Sequence, residues 1–547
     1  PRPKVQKGFF AAFNRWFARR MDKYTAFTPT LIRHVARTGV FIAAVLAVIF
    51  LVWRKLPAGF LPEEDQGYVM VMVSTPEASS LQMTQKAMIR ADEVIRTLPE
   101  VASTSFAAGF NMMAGIASTD SGIIFVSLVG YSDRKLTAME IAQRLTDELY
   151  MAVPGAECFA FIPPSIPGLG ITSGVSVEVQ DLEGRGTAYL LEQSERLMDS
   201  LRKLPSVASV TTQFNAGVPQ RRLRIDKEQA LASGVDLGVL YGDLTTLLGG
   251  AYVNNFSRFG KLYQTYIQAA PAYRMDKRSL DSYYVASSSG ESVPVSSLVE
   301  VVDTVGVEYV SQFNLYRSIG LTVTPAARTS TTTVMQDITR TAAQVLPDDV
   351  GTAWSGTSFQ EANASKTGGL VYLLALVFVF LALAALYESW GLPLAILMSV
   401  PVAVLGAVLF IGVSHLLNAF YVNDIYMQIS LVMLIGLAAK NAILVVEYAD
   451  RLFNEQGASL MDAAIGAAKL RVRPIIMTAF AFILGVMPLI FASGVYATAR
   501  NIMGVALVGG MLFATLLGIF VYPALYYFVG RIGGFERRRE RKKQEQS

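Results

Sequence analysis

Six stretches of the chain are apolar for long enough to cross a bilayer as helices, which takes about 20 residues. They fall at about 39–56, 369–387, 393–413, 425–449, 474–493 and 502–529. The order is one span, a mixed-polarity insert of roughly 310 residues, then five spans. Within the insert, amphipathic helical patterns at about 78–97, 137–152, 187–203 and 331–345 each run into a proline, at Pro99, Pro154, Pro205 and Pro347. Proline ends a helix and biases the residue before it to extended geometry. Strand candidates are 68–74, 101–108, 122–129, 156–162, 174–180, 206–213 and 315–324, and LPEVAS at 98–103 returns as LPSVAS at 204–209. Four helix–proline–strand units predict two copies of a βαββαβ unit. Residues 215–310 interrupt the second copy and read as a separate lobe. The lobe's loop GGAYVNNFSRFG at 249–260 reads either as a protein-contact arm or as an ordinary turn.

Charge orients the spans. Arg2, Lys4, Lys7, Arg15, Arg19, Arg20, Lys23, Arg33 and Arg37 precede the first. Arg451, Lys469, Arg471 and Arg473 lie between the fourth and fifth, and Arg537, Arg538, Arg539, Arg541, Lys542 and Lys543 follow the sixth. Loop 414–424 has no Lys or Arg. The positive-inside rule then puts both ends, segments 1–38 and 531–547, in the cytoplasm and the insert outside. Phe9, Phe10, Phe13, Trp16 and Phe17 recur at helical spacing beside the basic residues. That pattern reads as a helix lying on the inner membrane surface, or as a cut terminus. The first residue, Pro1, reads as the start of a fragment or processed product.

Composition removes other classes. The 547 residues are 52% hydrophobic and 16% charged, too apolar for a disordered, collagen-like or ordinary soluble chain. A lone cysteine, Cys158, excludes an internal disulfide, and with only His34 and His415 a zinc centre is not expected. No phosphate-cradling loop, HExxH motif or nucleophile elbow is present, so no enzyme activity is expected. The basic clusters read as membrane-flanking charge rather than a nucleic-acid surface.

The fourth span holds Lys440, followed by Asn441, well inside its apolar run. A lysine at mid-membrane costs about 2.5–3.5 kcal/mol on the mildest scale, so it is expected to face a bundle interior and a partner charge. Glu388, Asp424, Glu447 and Asp450 all lie at span ends. The counter-charge is therefore expected from another chain or a missing half. Arg471 and Thr478, two helical turns apart, share a face of the fifth span. Each also has a plainer reading, as a positive-inside anchor and as a helix-packing hydroxyl. Gly504, Gly509, Gly510 and Gly518 permit close helix approach, and Pro401 and Pro488 suggest kinks.

The strings FLPEEDQG (60–67), GGAYVNNF (249–256), LAALYESW (383–390), GLAAKNAILVVEYA (436–449), RVRPIIMT (471–478) and FILGVMPL (482–489) run from one end to the other. Together they resemble the second half of a resistance–nodulation–division (RND) multidrug efflux pump of the hydrophobe/amphiphile branch. The resemblance implies a membrane α-helical bundle of six spans, arranged 1+5, with a large periplasmic α+β insert. In that insert 57–170 forms one ferredoxin-like porter subdomain, 171–214 with 311–367 a second, and 215–310 a docking subdomain. It implies a bacterial inner-membrane proton antiporter that needs no cofactor beyond the proton gradient and works as a homotrimer. It also implies partners: an N-terminal half supplying a pair of transmembrane aspartates, a periplasmic adaptor, and an outer-membrane channel. Lys440, Asn441, Arg471 and Thr478 would serve the proton relay. Tyr252, Val253, Asn254, Asn255 and Phe256 would reach into a neighbouring protomer.

Apolar drug pockets need large, soft side chains. Met70 and Met72, and Phe159 and Phe161, are pairs at i and i+2 on strands. Phe106 and Phe125 flank the loop GFNMMAGIASTDSG at 109–122, which holds Phe110, Met112 and Met113. From the residues alone these read as core; the resemblance places them in drug clefts, with 109–122 as a switch loop. Two alternatives stand: a copper or silver exporter with Met70, Met72, Met112 and Met113 as thioether ligands, and a non-transporting sensor or assembly subunit.

Overall fold

The structure, a computed structural model, describes residues 9–32, 35–62, 64–166, 168–170, 174–326, 329–418 and 420–535. The basic residues Arg2, Lys4, Lys7, Arg33 and 537–543, and His34, lie outside the described residues. Contacts divide the chain into two compact units, Pro1–Gln213 with Ser311–Ser547, and Phe214–Val310.

The chain opens with helices α1 (Phe9–Ile32) and α2 (Val35–Lys55). On α1 Trp16 is exposed under the guanidinium of Arg20, while the side chains of Phe9, Phe10, Phe13 and Phe17 lie outside the described residues. The far end of α1 docks on the bundle, where Ile32 is buried.

The first repeat follows as β1 (Tyr68–Ser74), α3 (Leu81–Ile95), β2 (Val101–Ala108), β3 (Ser121–Leu128), α4 (Ala138–Ala152) and β4 (Glu157–Phe161). The four strands form an antiparallel sheet in the order β2-β3-β1-β4. Ser80 caps α3, and a Thr137–Glu140 capping box starts α4. One sheet face (Val69, Val71, Val73, Ile124, Val126) packs on Met88, Ile95, Ile141, Leu145 and Leu149 of the helices. Each such fully buried side chain contributes about 1.5–3 kcal/mol of transfer free energy.

The second repeat begins with β5 (Val175–Asp181), α5 (Thr187–Leu201) and β6 (Val207–Thr212). The 214–310 unit then intervenes. It comprises β7 (Val218–Ile225), α6 (Lys227–Ala232), α7 (Leu237–Leu244), β8 (Ala251–Arg258), β9 (Lys261–Ile267), β10 (Tyr284–Ala286), β11 (Ser292–Pro294) and β12 (Val299–Gly306). Its own core includes Ala230, Val235, Leu240, Leu280, Val285 and Leu298. The repeat resumes with β13 (Ser311–Phe313), β14 (Tyr316–Pro325), α8 (Thr331–Val345) and β15 (Val350–Trp354). Strands β6, β14, β5 and β15 lie side by side in that order, the same order as β2-β3-β1-β4. The internal repeat in the sequence is thus a repeat of topology. All four of its helices stop before the four prolines.

The remaining helices are α9 (Gly356–Tyr387), α10 (Gly391–Leu397), α11 (Val400–Leu417), α12 (Ile425–Asn454), α13 (Leu460–Ile490), α14 (Ala497–Leu516) and α15 (Gly518–Ile532). Among the described residues, six stretches are long and apolar enough to cross a membrane: Ala36–Lys55, Gly369–Tyr387, Gly391–Leu417, Ile425–Asn454, Leu460–Ile490 and Ala497–Leu516. Three spans differ from the sequence expectation. The fifth starts at Leu460, not 474, because Lys469, Arg471 and Arg473 lower hydropathy without opposing helix. The third is split just ahead of Pro401, which sits in the first turn of α11. The expected sixth span, 502–529, straddles a break at Leu517 between α14 and α15. The kink expected at Pro488 does not divide α13, which runs through Pro474 and Pro488 as one helix. Close packing of α11 on α14 depends on glycine: a Cβ on Gly406 would collide with the Gly509 carbonyl and Phe513, and one on Gly509 with Phe410.

Candidate functional site

Lys440 lies on an exposed stripe of α12 with Ile429, Val432, Met433 and Gly436. These positions recur every three or four residues, so they form one face left bare by the rest of this chain. Among the described residues Lys440 has no hydrogen bond or ion pair. The next acid along the stripe, Glu447, is two turns away, about 10 Å. Asn441, one residue on, points the other way. It is buried beside Tyr522 of α15, whose hydroxyl donates to the Ala514 carbonyl at 2.7 Å, and among the described residues the Asn441 Nδ2 has no hydrogen-bond partner.

The short turn at 455–459 makes α13 antiparallel to α12. The Arg471 guanidinium carbon lies 4.8 Å from the centre of the Tyr448 ring, and its Nε is buried with no hydrogen-bond partner among the described residues. Tyr448 is eight residues past Lys440, about 12 Å along the axis. Thr478 is seven residues past Arg471, about 10 Å back along the neighbouring helix. Thr478 therefore stands nearly level with Lys440. It too is exposed, and its hydroxyl donates to the Ile475 carbonyl at 3.1 Å. Lys440 and Thr478 come to one level, Arg471 sits about two turns nearer the 455–459 turn, and Asn441 faces away from that stripe.

In the first repeat, Met70 pairs across the sheet with Phe125 and Phe161, and Met72 with Ile123 and Phe159. Directly paired antiparallel residues share a face, so these side chains line the sheet surface opposite the helices. Met70, Met72, Ile123 and Phe161 are buried there, with Met112 and Met113 of the 109–120 turn packed over them. Phe159 stacks on Phe161 at 5.8 Å and stays half exposed. Phe110 is exposed on the turn. Phe106 does not join this group: it pairs with Ile124, which belongs to the helix-packed face.

In the 214–310 unit the 249–260 segment is part of a two-stranded ribbon, not a loop. β8 and β9 pair around a turn at Phe259 and Gly260, both with positive φ. Tyr252 packs edge-on to Tyr266, Phe256 stacks on Tyr263, and Val253 sits in a bulge between Tyr252 and Asn254. Tyr252, Val253, Asn254, Asn255 and Phe256 are all exposed.

Two acids, Glu64 and Asp65, have no role assigned from the sequence, and a third, Asp424, reads there only as a span-end acid. Asp424 is fully buried at the N-cap of α12, where one oxygen accepts from the Met427 N–H at 2.8 Å and the other has no partner among the described residues. Burial pushes this carboxyl up to about 7, and the nearby Glu64 adds repulsion. Glu64 accepts from the Thr498 and Ala499 N–H groups at the N-terminus of α14 (3.2 and 2.7 Å). Burial holds Glu64 above the usual carboxyl range despite these bonds and the neighbouring Arg500. Asp65 is fixed to the first repeat instead. It accepts from Arg134 at 2.6 Å and from the Ala138 N–H of α4 at 2.8 Å. Burial opposes its charge, but those partners hold it below the usual range. Segment 57–60 is stitched to 423–425 by Asn423 N–H to Pro57 O, Gly59 N–H to Asn423 O and Ile425 N–H to Phe60 O. A polar residue directly before an apolar run, as at Asn423-Asp424-Ile425, is the sequence sign of an N-cap.

These elements define a polytopic helical membrane protein with a cation in its fourth long apolar helix and a repeated α+β insert. A model of the AcrB/AcrD/AcrF family matches residues 1–530. The toluene efflux pump membrane transporter TtgB of Pseudomonas putida is 37% identical over 533 residues, covering 96% of this chain and 50% of that protein. The multidrug resistance protein MdtF of Escherichia coli (strain K12) is 34% identical over 529 residues (95% and 50%). The multidrug export protein AcrF of the same strain is 33% identical over 529 (96% and 50%). The chain belongs to the AcrB/AcrD/AcrF family, and it spans about half the length of these relatives.

Proposed function

We propose that this chain is one six-span half of a proton-driven pump that exports amphiphilic drugs, dyes or solvents. The observation that carries the reading is Lys440, a cation without a partner among the described residues, on a bare stripe of a membrane-length helix. Such a charge is tolerated when a second helical surface covers it and supplies an anion. The other half of the pump, with aspartates at this depth, would be that surface. Protonation of an aspartate would release Lys440, which then changes partner; Thr478 at the same level and Arg471 below it would line the proton path. Proton binding moves the helices only if it differs between their two arrangements. The gradient would supply about 2.3 kcal/mol per 100 mV of potential.

The single-span and five-span groups would anchor the chain in the inner membrane, with the two repeats as ferredoxin-like porter subdomains in the periplasm. The Met70, Met72, Phe125, Phe159 and Phe161 face would contact substrate. The 214–310 unit would dock toward an adaptor and outer-membrane channel, and its exposed aromatic ribbon would grip the next protomer of a trimer. The names of the relatives, efflux and export proteins for toluene and multiple drugs, support this reading.

The test is Lys440→Met in cells whose own efflux is disabled. Dye efflux should fall to the level of empty cells while membrane abundance stays normal. Undiminished efflux would end the proton-coupling reading. The convergence of Met70, Met72, Met112 and Met113 favours a soft-metal exporter as the second reading, and sensitisation to copper alone on loss of the chain would establish it instead.

A further inference from the structure

The sheet face carrying Met70, Met72, Phe125, Phe159 and Phe161 ends in an acid. The register sets Glu157 opposite Ser74, one step beyond the Met72–Phe159 pair. Alternation along β4 puts Glu157, Phe159 and Phe161 on one side, while Cys158 and Ala160 enter the core under the helices. Glu157 is the one charged residue in the four strands of this sheet. It is exposed, and among the described residues it makes no hydrogen bond or ion pair. Asp120, the other acid at that end, is buried and already accepts from the Ser118 and Ser121 hydroxyls.

We propose that Glu157 is a specificity-determining residue that favours cationic over anionic amphiphiles on this face. The inference rests on the efflux reading and names its substrate class. Phe159 and Phe125 are 50% and 36% exposed, so two aromatic faces stand open beside the carboxylate. Ring faces carry negative potential and attract cations. A fixed carboxylate about 7 Å along the strand from Phe159 adds to that attraction and repels anionic heads. The matching ligand has a flat apolar body and a cationic group attached close to it. The whole apparatus for discrimination is the charge at one end of an otherwise uncharged sheet.

The experiment edits the chromosomal copy to Glu157→Gln and Glu157→Lys in the native host, with membrane abundance checked by immunoblot. Accumulation of tetraphenylphosphonium, the anion taurocholate and the neutral N-phenylnaphthylamine is compared. Expected is about a threefold rise in retained cation for Glu157→Gln, as for loss of one solvent-exposed charge pair. Glu157→Lys should lose more cation export and gain anion export, with the neutral probe unchanged in both. Parallel changes for all three probes, or none, would overturn the role of Glu157 while leaving the efflux reading intact. A wild type that clears none of the probes better than a deletion strain overturns both.

Discussion

The Tyr24 hydroxyl donates to the Ile519 carbonyl at 2.7 Å, across 495 positions of sequence. Ile519 is four residues before Pro523, which has no N–H to complete the α15 ladder. The phenol of α1 thus takes the place of the missing backbone donor. Burial pushes Tyr24 up to about 12, so it stays a donor throughout the physiological range. Tyr24→Phe keeps the ring and removes the donor, and should lower unfolding stability in detergent by about 1 kcal/mol. An unchanged melting curve would mean that the Ile519 carbonyl is satisfied some other way.

Helix packing in the bundle makes a contrast between glycines. Gly406→Ala should cost about 1–3 kcal/mol, because the methyl meets backbone and ring atoms that cannot retreat. At Gly485 on α13 an added Cβ meets nothing within 4 Å, so Gly485→Ala should be neutral or slightly stabilising through helix propensity. Thermal unfolding of both purified variants, side by side, checks the pair.

Asp424 sets a pH dependence. Its native carboxyl titrates near 7, above the unfolded value of about 3.9. The native state then binds the extra proton, so this contribution to stability is fully present below pH about 4 and disappears as pH rises through about 7. The chain should lose stability between pH 5 and 8. Asp424→Asn retains an N-cap oxygen and should show a shallower slope and higher stability at pH 8. Glu64, shifted in the same direction, keeps the slope from vanishing. Parallel curves for variant and wild type would contradict the assignment.

Cys158 is buried beneath the helices of the first repeat, and burial pushes its thiol up to about 11. The thiolate is the reactive form. Maleimide at pH 7 should leave the folded chain unlabelled over hours and modify it completely once denatured. Rapid labelling of the folded chain would show that this core opens.

The four proline-closed helices and seven of the repeat strands were legible because their signals are local, in period and in punctuation. β15 was missed: VGTAW is short and opens with glycine soon after Val350, so it shows little alternation. Lys440 was legible as a charge in an apolar run, but the opposite facing of Asn441 depends on where α15 packs. Phe106 illustrates a limit of pattern reading. A bulge between Val101 and Ser103 shifts the pairing of β2 with β3, and a one-residue shift moves every later side chain to the other face. Glu64 and Asp65 carry no role legible in the sequence, because the partners of Glu64 lie more than 430 residues away and those of Asp65 about 70 residues away.

Those adjacent acids have a mechanical result. Neighbouring backbone atoms cannot separate by more than the about 3.8 Å step between Cα positions, and one carboxylate grips α14 while the next grips α4. Neither helix end can travel far without dragging its counterpart or tearing one clasp open. The Glu64–Asp65 peptide is in effect a two-pronged coupling pin between the end of the bundle and the first repeat.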